Sequence, residues 1–159
     1  MSELTAFTFK DTGVKVLIKK VSPLLVVELQ KAFPPPAPPR QRVQIGDEWA
    51  EEPNPAHPDY TEAMAKYSQE MEMRVRMLLI NRGVVIPEDN GDWKAEVAEL
   101  REFWKANYGK EIAGDDKTVY ISNIAVGTDM DLGDLLTAIM QRSQPTEEAV
   151  AAAKSSFPG

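Results

Sequence analysis

The sequence predicts an α+β chain that is mainly helical. Three observations carry this. Period-2 alternation of β-branched and aromatic residues occupies the first twenty positions, a proline-dense stretch follows, and apolar residues then recur at three- and four-residue spacing for most of the remaining length. The organisation expected is a β-hairpin with a short helix over 1–33, an extended proline-rich strap over 34–58, and a helical body of about four helices over 59–159.

In Thr5-Ala6-Phe7-Thr8-Phe9-Lys10 the two aromatics share one face. In Val14-Lys15-Val16-Leu17-Ile18-Lys19 the β-branched residues share one face and the lysines take the other. Gly13 supplies the positive φ that the connecting loop wants. Ser22 is placed to cap a helix and Pro23 to open it, so that Leu24 to Ala32 form a short helix on the hairpin. A hairpin alone is marginal, and Val43–Ile45 is the candidate third strand.

Eight of the twelve prolines fall between 34 and 58. Proline fixes φ and lacks a donor, so Pro34–Pro39 must run extended. Pro36 and Pro39 beside Arg40 and Arg42 satisfy a polyproline-ligand pattern, but any proline run does so, and a spacer is the plainer reading. The segment ends in His57-Pro58-Asp59, where His57 or Asp59 starts a helix. Tyr60, Met64, Tyr67, Met71, Val75, Leu78 and Arg82 then step along one helical face. This helix is about 24 residues long, roughly 36 Å at the standard rise. Gly83 is its candidate C-cap.

Asp89-Asn90-Gly91 reads as a turn and Asp92 as the cap of a second helix, with Trp93, Val97, Leu100, Trp104 and Tyr108 as its apolar stripe and Gly109 or Gly114 as its end. Thr118 to Ile124 alternates weakly, as a short strand or an irregular connector would. Asp129 or Asp131 caps a third helix bearing Leu132, Leu135, Leu136, Ile139 and Met140. Ser143 to Glu148 reads as the start of a further, alanine-rich helix.

Composition excludes several chemistries. The chain has no cysteine and one histidine, so thiolate nucleophiles, disulfides and multi-histidine metal sites are ruled out. Phosphate-cradling and nucleophile-elbow motifs are missing. His57 lies between prolines with nothing evident to orient its ring as a general base. Asp129, Asp131 and Asp134 fail the calcium-loop spacing, because Asp134 stands where glycine is needed and Met140 where glutamate is needed. These observations predict no enzymatic activity, no metal and no cofactor. A net charge of −7 argues against general nucleic-acid binding, and the apolar runs are far shorter than the about 20 residues of a membrane span. A cytosolic location is expected. Residues 1–46 carry net +4 and residues 47–159 net −11, an acidic body with a basic head that suits solubility or a basic or amphipathic protein partner.

Seven methionines are notable, and Met73 and Met77 fall off the main stripe of the long helix. Methionine surfaces adapt to varied partners, although a helix buried on most sides explains them equally. The candidate partner-binding residues are Tyr60, Met64, Tyr67, Met71, Met73, Met77, Trp93 and Trp104.

The order of segments resembles a known family. Val14-Lys15-Val16-Leu17-Ile18, Ser22-Pro23-Leu24-Leu25 and the Pro34–Pro39 run come first. Asn54-Pro55-Ala56-His57-Pro58-Asp59-Tyr60 then leads into the long helix, and Thr128-Asp129-Met130-Asp131-Leu132 and Ser143-Gln144-Pro145-Thr146-Glu147-Glu148 stand near the end. This pattern is similar to the tail assembly chaperones of long-tailed bacteriophages. The resemblance implies a non-enzymatic protein of virion morphogenesis, acting in the host cytoplasm. Such a protein binds and solubilises the tape-measure protein, recruits tail-tube subunits and leaves before the tail is complete; homo-oligomers are compatible with it. The alternative is a structural virion component, a head–tail connector or tail protein, with the proline-rich segment as a clamping arm.

Overall fold

The computed structural model describes residues 3–143. The chain divides into two compact units. One comprises the described residues up to Leu25 together with those from Arg76 onward; the other is Val26–Val75. The expected fold class holds: a mixed α+β chain, mostly helical, with an N-terminal hairpin, a short helix and a cluster of helices toward the C-terminus.

The first unit is built on a three-stranded antiparallel sheet. Strands β1 (Thr5–Thr8) and β2 (Lys15–Ile18) form the expected hairpin, with Phe7 opposite Val16. Phe9 N donates to Val14 O at 2.9 Å, and Gly13 takes the positive φ of 73° in the loop between them. The alternation in β2 is real: Val16 and Ile18 are buried and Lys15 is exposed. The third strand is not Val43–Ile45. It is β5 (Val84–Val85), whose Val84 and Val85 pair with Ile18 and Leu17. Two residues are too few for a periodic signal, and the pairing joins positions far apart in sequence.

Helix α1 (Pro23–Ala32) opens as expected, with Leu24 N donating to Ser22 Oγ at 3.3 Å. Helix α2 (Pro58–Gly83) is the long helix and runs directly into β5. Gly83 plays a different part from the expected left-handed cap. Its φ is not positive. A Cβ there would lie 2.9 Å from Ile139 Cγ2 and 3.0 Å from Val21 Cγ2, so glycine is required for close approach. Lys19 N donates to Gly83 O at 2.9 Å, which continues the sheet pairing into the helix end.

Helix α3 (Trp93–Tyr108) begins at Asp92, whose carboxylate accepts from Ala95 N, and ends at Gly109 with φ 64°. Residues 118–124 are neither strand nor irregular connector. Helix α4 (Asp116–Tyr120) passes into a π-helical turn over Ile121–Ala125. Thr118 through Ile121 are all buried, and a short apolar run buried on every side has no periodicity that separates strand from helix. Helix α5 (Asp129–Ser143) turns Leu132, Leu135 and Ile139 into the core. Its cap is Thr128, whose hydroxyl accepts from Asp131 N, rather than Asp129 or Asp131. Asp131 is buried instead, and its carboxylate accepts from Gly127 N and Asp11 N at 3.3 and 3.4 Å. That ties the hairpin loop to the start of α5. Ser143, expected in a helix start, closes α5: its hydroxyl donates to Ile139 O at 2.6 Å and accepts from Val21 N at 2.9 Å. The alanine-rich helix expected after it lies outside the described residues.

The second unit contrasts with the first. Arg40 to Pro53 do not run as an extended strap. They fold into a second hairpin, β3 (Arg40–Ile45) with β4 (Glu48–Pro53), closed by Gly46-Asp47 with Gly46 at φ 66°. Only the first central residue takes positive φ, which fits a type II′ turn. The prolines tolerate it because Pro53 sits at the end of β4, where no ladder donor is needed. The remainder of the unit comprises most of α1 and the first part of α2. Every fully buried residue of the described chain lies in the first unit; Val26–Val75 contains none.

Two glycines give a paired test of this packing. Gly83→Ala forces Ile139 and Val21 apart and is expected to cost about 1–3 kcal/mol of stability. Gly133→Ala, in α5 with open space around it, is expected to be neutral or to stabilise by up to about 1 kcal/mol. Denaturant midpoints of the two variants check both signs.

Candidate interaction surfaces

Within Val26–Val75, the N-terminal part of α2 places Tyr60, Met64, Tyr67 and Met71 half-buried on one face. Tyr67 Oη donates to the carbonyl of Phe33 at 2.6 Å. The Arg74 guanidinium lies 3.9 Å over the Phe33 ring, with Glu70 3.8 Å from it on the next turn. Residues just after α1 are thereby latched to α2. Met73 stands off this face and is 53% exposed. The lone histidine has a structural use: Asp59 N donates to His57 Nδ1 at 3.1 Å, and the His57 carbonyl accepts from Tyr60 N and Thr61 N. His57 is the cap of α2, which explains its place beside Pro58 at the first helical position.

The other candidates lie in the first unit. Met77 reaches toward Gly114, where a Cβ would stand 3.8 Å from its Cε. Trp93 packs on Tyr120, with ring centroids 5.4 Å apart, and Lys94 Nζ approaches its ring at 5.7 Å. Trp104 belongs to an exposed aromatic group at the end of α3: its ring is 5.0 Å from Tyr108, and Phe103 is 6.1 Å from Tyr108. Phe103 is 51% exposed and Tyr108 57%. The stripe expected for α3 is thus docked only over its first half, where Val97 is fully buried. Phe103 falls outside the sequence-based set because it sits off the stripe. Three aromatics within six residues at a helix end was the available signal.

Beside this group is an open concavity of about 350 Å³ lined by Arg101, Glu102, Lys105, Glu111 and Ile112. Arg101 is already engaged: it donates to Ile112 O and Gly114 O, each at 2.8 Å, and to Asp116 Oδ1. Its fork shapes the loop between α3 and α4. Among the described residues no three His, Cys, Asp or Glu side chains are grouped to hold a metal ion. No helix among them is long and apolar enough to cross a membrane.

The chain matches no family model, no curated protein and no solved structure.

The end of α2 is held by a polar network. Asn81 Nδ2 donates to Asp115 Oδ1 and Thr118 Oγ1, each at 3.1 Å, and Thr118 also donates to Asp115. Lys117 Nζ donates to Val84 O at 2.9 Å and Asn81 O at 3.2 Å, a cation on carbonyls that the helix end leaves open. Burial pushes the Lys117 ammonium below its ordinary value; Asp115 opposes this and Lys19 adds to it. Burial and the negative Glu96 raise the Tyr120 phenol, against a smaller effect of Asn90.

Burial alone would raise the Asp115 carboxyl, but hydrogen bonds from Thr118 and Asn81 and from backbone amides outweigh it and hold it below its ordinary value. A carboxyl lowered on folding stabilises the native state above its unfolded pKa, about 3.9, and loses that contribution as pH falls through its native value. Wild type is therefore expected to exceed Asp115→Asn in melting temperature at neutral pH. The gap is expected to close as pH falls below about 4, which thermal melts across pH measure.

Proposed function

We propose that this protein is a non-enzymatic phage tail assembly chaperone that binds and solubilises a tape-measure protein during tail morphogenesis. The observation that carries the reading is that Val26–Val75 contains no buried residue, although it holds Phe33, Tyr60, Met64, Tyr67 and Met71. Fifty residues that bury nothing fully have apolar surface still to gain from a partner. An apolar helical client supplies that surface, with its own anchors at i, i+3, i+4 and i+7. The exposed Phe103, Trp104 and Tyr108 offer a second apolar patch, and aromatics of this kind dominate interface energetics. The net charge of −7 supports the role, because like charge on complexes opposes their aggregation.

A structural virion component, a head–tail connector or tail protein, is the second reading. The hairpin β3–β4 within the proline-rich segment favours it, since an exposed two-stranded arm is suited to clasp a neighbour.

The test is coexpression with a tape-measure protein of a long-tailed bacteriophage. Met73→Glu, Phe103→Glu and Tyr108→Glu alter exposed side chains and are expected to leave the fold intact. Wild type is expected to keep the client soluble and the triple variant to lower its soluble fraction severalfold. Equal client solubility with wild type, the triple variant and no chaperone overturns the reading. Mass spectrometry of purified particles separates the alternative: a virion component is retained at fixed copy number, and a chaperone is lost.

A further inference from the structure

Among the described residues, the hairpin β3–β4 is a two-stranded sheet with no further strand on either side. Asn54 N donates to Pro39 O at 2.7 Å. With the register Gln41↔Glu52, Val43↔Ala50 and Ile45↔Glu48, this fixes which backbone groups face inward. The N–H and C=O groups of Arg40, Arg42 and Gln44 point away from β4, and those of Trp49 and Glu51 point away from β3. Each outer edge therefore presents backbone groups to another strand, and on the β4 edge an incoming strand must displace the Arg40 guanidinium, whose Nη2 donates to Glu51 O at 2.9 Å.

The two edges differ in charge. β3 carries two arginines and no acid, whereas β4 carries three glutamates and no base. Within the hairpin, Arg42 stands opposite Glu51, Arg40 Nε is 3.6 Å from Glu51 Oε2, and the Arg42 guanidinium is 5.2 Å from the centre of the Trp49 ring. Trp49 is nonetheless 58% exposed, and no residue of either strand is buried. Two strands alone are marginal, and a third strand on a paired face is what a sheet needs.

We propose that β3 of one copy pairs antiparallel with β4 of the next, head to tail, through these open edges. Two like edges brought together set arginine beside arginine or glutamate beside glutamate, which is unfavourable. Opposite edges repeat the hairpin's own register: Arg42 of one copy faces Glu51 of the other, and Trp49 lies diagonal to that arginine. Because the two surfaces differ, the contact is heterologous and builds a ring or an open chain rather than a two-fold dimer. Pro53, lacking an N–H, ends the ladder and keeps each contact short. A contact of this length is weak and reversible, with assembly set by concentration and salt.

Sedimentation velocity of the purified full chain tests this without any client, and so independently of the chaperone reading. Wild type is expected to grow beyond dimer with rising concentration and to dissociate in high salt. Gln44→Pro removes one outward-facing N–H, leaves the hairpin's own bonds in place, and is expected to weaken association by at least about tenfold. The reversed-edge variants Arg40→Glu/Arg42→Glu and Glu48→Lys/Glu51→Lys are each expected to stay monomeric alone and to co-assemble when mixed. Rescue on mixing cannot come from a repaired hairpin, because neither chain has regained its internal pairs. Three results overturn the proposal: wild type monomeric throughout, a discrete dimer that survives Gln44→Pro, or reversed variants that fail to co-assemble.

Discussion

The first unit depends on a close approach at the end of α2. Gly83 has Ile139 on one side and Val21 on another, with no room for a methyl group. Its carbonyl accepts from Lys19, and the next two residues pair with β2. One position thus joins the long helix, the sheet and α5. Around it, Leu79 and Ile80 from α2, Val16 and Ile18 from β2, and Leu135 and Ile139 from α5 are buried together in one core. Each such side chain contributes about 1.5–3 kcal/mol by leaving water. Moving the helix end outward by a few tenths of an ångström loosens all three elements at once, since close-packed interiors forfeit contact energy steeply with separation.

The polar contacts around this core have positional roles. Asp131 reaches across to the loop of the first hairpin, Ser143 links Ile139 to Val21, and Arg101 gathers the loop before α4. Each satisfies backbone groups that have no regular partner, which matters because an unsatisfied buried group costs about 1–3 kcal/mol. Val26–Val75 has no such interior. Its ordering contacts are a tyrosine on a carbonyl, an arginine over a phenylalanine, and a two-stranded ladder. The chain therefore separates a unit with its own core from one whose apolar side chains remain half in water. The proposed roles of the chain rest on that separation.

Much of the fold was legible because local chemistry sets it. Val16 and Ile18 alternate with lysine, Ser22-Pro23 opens α1, Asp92 and Gly109 bound α3, and each worked as the residue types require. Non-local facts were not legible. β5 is two valines with no pattern of their own, and they take the place in the sheet that Val43–Ile45 was expected to fill. The second hairpin was obscured by prolines on both sides, although Gly46-Asp47 carried the turn signal. Gly83 looked like a cap because glycine after a helical stripe commonly is one; its actual constraint comes from residues distant in sequence. The candidate surface was legible only as composition. Methionines and aromatics could be located along helices, but which side of each stayed wet depends on tertiary packing. Trp93 packs on Tyr120, whereas Phe103 and Tyr108 remain in solvent.

Native-state hydrogen exchange tests the central claim most directly. The amide of Lys19, bonded to the Gly83 carbonyl, is expected to exchange as slowly as the core amides around Leu135 and Ile139 and to share their denaturant dependence, because one packing junction holds them. The amides of β3 and β4 are expected to exchange faster, through openings that leave the core intact. If Lys19 exchanges early and independently of α5, the junction at Gly83 is not what the first unit depends on.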